Sequence, residues 1–196
     1  MAARLTVSKP IVLVGMMGAG KTSVGRHLAA KLGLPFVDAD QEIESAAQAT
    51  ISEIFEQEGE AVFRSGERRV IARLLDGPVC VLATGGGAFM NPETRSKIRE
   101  CGISVWLRAD LELLMRRVGR RRDRPLLQQG DPRDVLTRLL AVRDPVYAEA
   151  DVTIDSGDHT PEQVADAVIA AVAAFVERRA TQAGESTVPT TQGLRS

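Results

Sequence analysis

The residues Gly15-Met16-Met17-Gly18-Ala19-Gly20-Lys21-Thr22 fit the pattern G-x-x-x-x-G-K-[ST] and follow the apolar run Pro10-Ile11-Val12-Leu13-Val14. Glycines at these spacings let successive backbone N–H groups turn inward around phosphate oxygens. Lys21 adds a point charge for β- and γ-phosphates, and the Thr22 hydroxyl is a ligand for Mg²⁺. Ser23 to Leu32 reads as a helix whose N-terminus also favours an anion. A plain glycine-rich turn between a strand and a helix is the competing reading. All four fixed positions are filled in the right context, which favours nucleotide phosphate. The motif leaves the reaction open.

Other residues carry chemistry of their own. Asp38-Ala39-Asp40 follows the second apolar run, and ligands of open parallel sheets bind beyond the carboxyl ends of strands. At i and i+2, one carboxylate can face a metal while the other orients a substrate hydroxyl and accepts its proton. Either aspartate could instead cap the helix that begins near Gln41. Gly85-Gly86-Gly87 follows the third run, where missing side chains permit close approach of a ligand and left-handed dihedrals. Triple glycines also serve ordinary loops. Arg64 follows Phe63, and Arg143 opens Arg143-Asp144-Pro145-Val146-Tyr147. Arginine's planar fork suits carboxylate and phosphate. Residues 119–131 read as a lid able to close over phosphates. Within the basic run Arg116 to Arg124, only Arg124 is singled out and most of the others are expected to be solvated. Cys80 lies in an apolar run and reads as a buried, inert thiol. Cys101 forms no metal pattern with it, and His27 reads as structural.

The elements that must position these residues alternate. Apolar runs cover Ile11–Val14, Pro35–Val37, Val79–Ala83, Ser104–Leu107 and Val152–Ile154. Helical patterns cover Thr22–Leu32, Ile51–Leu75, Pro92–Cys101, Leu111–Arg117 and Val135–Glu149, with the Ile51–Leu75 pattern interrupted at Gly59. Thr160 and Gln163 form a capping box before Pro161, and Val164, Val168, Val172 and Phe175 make one stripe. Asp131-Pro132 marks another helix start. This alternation predicts a three-layer α/β/α domain with a parallel sheet. Residues 1–9 read as an N-terminal extension and 180–196 as a disordered polar tail.

The 196 residues suit one domain. A net charge of −1 gives no global pull towards nucleic acid or an anionic membrane, and no apolar run approaches the ~20 residues of a membrane span. No signal-peptide core precedes the first strand, so a cytoplasmic protein is expected.

Together these residues resemble shikimate kinase. The matching pieces are Gly15–Thr22, Asp38-Ala39-Asp40, Phe63-Arg64 with Glu67, Gly85-Gly86-Gly87, Arg124-Pro125-Leu126-Leu127 and Arg143-Asp144-Pro145-Val146-Tyr147. They span about residues 10–175. The resemblance implies a five-stranded parallel sheet in the order 2-3-1-4-5 and a mobile lid. It implies transfer of the γ-phosphoryl of ATP, with Mg²⁺, to the 3-hydroxyl of shikimate, on the route to the aromatic amino acids. Asp40 would orient or deprotonate the hydroxyl. Asp38 would join Thr22 at the metal. Arg64, Arg143 and the Gly85–Gly87 loop would bind substrate. Lys21 and Arg124 would stabilise the transferring group, and Met17 to Thr22 with Arg124 would hold the nucleotide. Some members place an arginine near adenine where this chain has His159, which either stacks on adenine or is a plain loop residue. A monomer acting on a small molecule is expected. The alternatives are another small P-loop kinase, such as a gluconate or nucleoside monophosphate kinase, and a nucleotide-binding protein without catalysis.

Overall fold

The computed structural model describes residues 7–118 and 131–185. Its elements run β1 (Ile11–Val14), α1 (Lys21–Leu32), β2 (Phe36–Asp38), α2 (Ala39–Ala47), α3 (Ile51–Leu75), β3 (Val81–Ala83), α4 (Pro92–Cys101), β4 (Ile103–Arg108), α5 (Leu111–Val118), α6 (Pro132–Tyr147), β5 (Val152–Asp155) and α7 (Pro161–Glu185). The strands form one sheet in the order β2-β3-β1-β4-β5, as the resemblance implies, and every pairing is parallel. Central β1 is buried throughout, which its unbroken Ile-Val-Leu-Val run requires of a strand covered on both faces.

Topology sets the layers. Right-handed crossovers that step along the sheet in opposite directions fall on opposite faces. The step from β1 to β2 puts α1 on one face, where α7 packs against it. The steps from β2 to β3, β3 to β4 and β4 to β5 run the other way and put α3, α4 and α6 on the second face. Because all strands point one way, the segments that follow β1, β2, β3 and β5 emerge along one rim.

Several boundaries move. The second and third strands start one and two residues later than their apolar runs, and β4 gains Ile103 and Arg108. The sixth helix starts at Pro132, as the Asp131-Pro132 signal predicts and three residues before the apolar pattern at Val135, because Asp131 accepts from the backbone N–H groups of Arg133 and Asp134. The Thr160–Gln163 capping box forms as read. Helix α7 continues to Glu185, past residue 180 where the tail was expected to begin. Gly59 breaks α3 with φ 84° and ψ 168°, a conformation essentially confined to glycine. Among the described residues, no helix is long and apolar enough to cross a membrane. The lid expected over residues 119–131 and its Arg124 lie outside the described residues, apart from Asp131.

Candidate active site

The Gly15–Gly20 loop turns directly into α1, and Gly20 caps that helix with φ 98°. Lys21 is buried and its ammonium donates to the carbonyls of Gly15 (2.7 Å) and Met16 (2.9 Å), which folds the charge back over the loop. The Thr22 hydroxyl donates to Asp38 Oδ2 at 3.0 Å, while Asp38 Oδ1 accepts the Asp40 N–H at 3.1 Å. Asp38 is therefore both the cap of α2 and the partner of Thr22, and the helix begins at Ala39 rather than Gln41. A hydroxyl and a carboxylate side by side are hard oxygen donors. Two protein oxygens fit Mg²⁺, which keeps waters and takes its other ligands from phosphates. Among the described residues no group of three or more His, Cys, Asp or Glu side chains could hold a metal ion.

The triple-glycine loop is glycine for space, not for handedness. None of Gly85, Gly86 and Gly87 has positive φ, so the left-handed dihedrals that glycine permits are not used here. A Cβ at Gly85 would meet Asp40 Oδ1 at 2.8 Å and Glu67 Oε1 at 2.9 Å. At Gly87 it would sit 2.6 to 2.8 Å from the Arg64 guanidinium, and at Gly86 it would press on the Met17 N–H at 3.3 Å. The loop thus lets Asp40, Arg64 and the P-loop close around bare backbone.

Arg64 is held on several sides. Its Nη1 donates to Glu67 Oε2 (2.8 Å), its Nε and Nη2 donate to Glu60 Oε1, and its guanidinium lies over Phe63 and Phe55. Glu67 keeps its other oxygen, Oε1, buried without a hydrogen-bond partner. Burial pushes its carboxyl up; the hydrogen bond from Arg64 opposes this, and the charge of Asp40 reinforces it. Across the loop, Arg143 is buried and its Nη1 donates to the Gly86 carbonyl at 3.3 Å.

The donor side contains residues the sequence did not single out. Arg117, from a run of arginines mostly expected to be solvated, is half-buried. Its Nη1 donates to the carbonyls of Ala19 (3.1 Å) and Gly18 (3.3 Å) and to Ser156 Oγ. Desolvation lowers its guanidinium, although it remains a cation. Ser156 is buried and donates to the Ala19 carbonyl at 3.0 Å. Arg116, next in sequence, points out and pairs with Asp158. Nothing in the run of arginines distinguishes the two; only the azimuth of α5, which packs on α6, turns Arg117 towards Ser156 in the segment after β5.

The P-loop, both aspartates, part of the glycine loop and the donor-side residues meet in one cleft of about 380 Å³, whose lining does not include Arg64, Gly87 or Arg143. It is lined by Gly18 to Val24, Asp38, Asp40, Thr84, Gly85, Gly86, Arg117, Ser156, His159, Pro161 and Val164. His159 lines it and is exposed. His27 is exposed on α1, Cys101 is half-buried, and Cys80 is buried with its thiol pushed up by desolvation.

A family model described as shikimate kinase matches residues 17–173. The chain belongs to the shikimate kinase family. A shikimate kinase of Paramagnetospirillum magneticum is 55% identical over 89% of this chain and 90% of its own length. One of Rhodopseudomonas palustris is 60% identical over 84% and 81%. Among solved structures, shikimate kinase from Acinetobacter baumannii in complex with shikimate superposes with a TM-score of 0.82 at 44% identity. That match covers 85% of this chain and 93% of the other. A gluconokinase from Sinorhizobium meliloti shares the fold, with a TM-score of 0.60 at 21% identity.

Proposed function

We propose that this shikimate kinase family member transfers the γ-phosphoryl group of ATP to the 3-hydroxyl of shikimate, giving shikimate 3-phosphate and ADP. One observation carries the reading: the donor-side residues Lys21, Thr22 and Asp38 and the acceptor-side residues Asp40, Gly85 and Gly86 line a single cleft, with Arg64 packed on Gly87 and Arg143 bonded to Gly86.

The acceptor is a carboxylated polyol. Arg64 and Arg143 bind its carboxylate, as guanidinium forks do. Asp40 accepts a hydrogen bond from the reacting hydroxyl, holds it in line with the γ-phosphorus and takes its proton as the phosphoryl leaves ADP. The Gly85–Gly87 backbone lies against the ring. On the donor side, the N–H groups of Met17 to Thr22 cradle the phosphates, and Lys21 exchanges its loop carbonyls for phosphate oxygens. Thr22 and Asp38 would hold Mg²⁺, which supplies positive charge to the β- and γ-oxygens. Arg124, outside the described residues, is assigned to the equatorial oxygens of the transferring group. Adenine lies between Arg117 and Pro161, with His159 at its edge, so Arg117 takes the larger share of the contact. The enzyme works as a cytoplasmic monomer in aromatic amino acid synthesis.

A coupled ADP-release assay with shikimate, gluconate and a nucleoside monophosphate as acceptors separates the rival kinases. ADP formation with shikimate alone is expected. No ADP above background at millimolar shikimate, ATP and Mg²⁺ sinks the reading. Asp40→Asn is expected to lower kcat by about 10²–10⁴; near-normal turnover removes Asp40 from the chemistry.

A further inference from the structure

Tyr147, the sole tyrosine of the chain, is completely buried one helical turn after Arg143 on α6. Its hydroxyl donates to the Gly86 carbonyl, the same oxygen that accepts from Arg143 Nη1. Its ring stacks on Trp106 of β4 (centroids 5.9 Å apart, planes at 28°) and faces Phe89 (6.4 Å, 20°), so it is fixed from two sides. Burial pushes the phenol up to about 12, which keeps it a proton donor throughout the working range of any enzyme at neutral pH.

Consider the peptide unit this anchors. The chain has no cis peptide among the described residues, so the N–H of Gly87 is antiparallel to the C=O of Gly86. Fixing that carbonyl on α6 therefore fixes the Gly87 N–H in the opposite sense, away from α6. The preceding carbonyl, of Gly85, is occupied by the Ala88 N–H at 3.2 Å, which sets the loop from its other end. Glycine alone has the freedom to rotate this peptide; nothing within the three residues themselves prevents a flip. The same unit is wedged between the P-loop, at Met17 N, and the Arg64 guanidinium beyond Gly87.

We propose that Tyr147 is a positioning residue for the acceptor. By locking the Gly86–Gly87 peptide it presents the Gly87 N–H to the substrate's carboxylate beside Arg64, and holds Arg143 in register with that donor. A tyrosine suits this task because its hydroxyl reaches from a rigid aromatic stack without carrying charge into the core. The inference rests on the assignment of the glycine loop, Arg64 and Arg143 to the acceptor.

The test is Tyr147→Phe, which removes only the hydroxyl and retains the stack on Trp106 and Phe89. KM for shikimate is expected to rise about tenfold, the effect of one lost hydrogen bond of ~1.4 kcal/mol. KM for ATP and kcat should stay within about twofold. Shikimate binding without nucleotide, followed by fluorescence of the sole tryptophan, Trp106, should weaken by the same factor. Arg143→Ala and Arg64→Ala are measured alongside. An unchanged KM for shikimate in Tyr147→Phe, with large increases in both arginine variants, overturns the inference and leaves the acceptor site standing. Unchanged values in all three overturn the acceptor site itself. If the two KM values rise together with a fall in melting temperature, Tyr147 is a packing residue only, and the inference fails.

Discussion

Arg64 and Glu67 face each other across one turn of α3 at 2.8 Å, and the Glu67 side chain is 4% exposed with Oε1 unsatisfied. Burial is the main reason its carboxyl lies above the ordinary 4.5, the Arg64 hydrogen bond opposing it. A carboxyl with a raised folded-state value contributes stability that is complete below the unfolded value and lost as pH rises through the folded one. Glu67→Gln cannot ionise and keeps an acceptor for Arg64. Its melting temperature relative to wild type should therefore climb as pH rises from below 4.5 towards neutrality. Thermal melts across that range check it, and a flat or falling difference contradicts the burial argument.

Gly87→Ala puts a methyl group into the Arg64 guanidinium, at 2.6 to 2.8 Å, so the side chain must leave its Glu60–Glu67 seat. A displaced charge-assisted contact of ~1.5–3 kcal/mol raises KM for shikimate about tenfold to a hundredfold. KM for ATP should not move. Initial rates with each substrate varied in turn decide; equal changes in both would place the damage in the fold.

Arg117→Ala reports on the donor side. Arg117 contacts the carbonyls of Gly18 and Ala19 and lines the cleft beside Pro161. Losing a desolvated guanidinium against a flat base should raise KM for ATP about tenfold, leaving shikimate binding intact. Arg116→Ala, which removes a surface pair with Asp158, should change neither.

Gly59 and Gly66 make a matched pair in α3. Beyond the adjoining residues and the helix's own backbone, neither has an atom within 4 Å of an added Cβ, but Gly59 sits at φ 84° and Gly66 does not. Gly59→Ala should destabilise by ~1–3 kcal/mol through backbone strain alone, lowering the melting temperature about 2–4 °C per kcal/mol. Gly66→Ala should stabilise slightly, because alanine is the better helix former. Calorimetry on both variants checks the sign of each.

The sequence by itself determined those features whose cause is local. The P-loop can be read because its phosphate-binding atoms belong to eight consecutive residues. The Thr160–Gln163 box and the Asp131 cap lie within one helical turn, and the break at Gly59 follows from one residue's missing Cβ. Alternating buried strands and amphipathic helices imply a parallel sheet, since each strand must be covered on both faces. The resemblance added the strand order and placed Asp40, Arg64 and Arg143 in one site.

Only the tertiary structure decided the rest. Arg116 and Arg117 are equivalent in sequence, and the packing of α5 on α6 selects one for the cleft. Gly85 to Gly87 read as flexible, yet what excludes a side chain is Asp40, Glu67, Met17 and Arg64, which arrive from three other segments. Tyr147 reads as an aromatic at the end of a helix until the sheet brings Gly86 to its hydroxyl. In each case the deciding contact spans dozens of residues of chain, and its geometry is set by how layers pack, which no local pattern encodes.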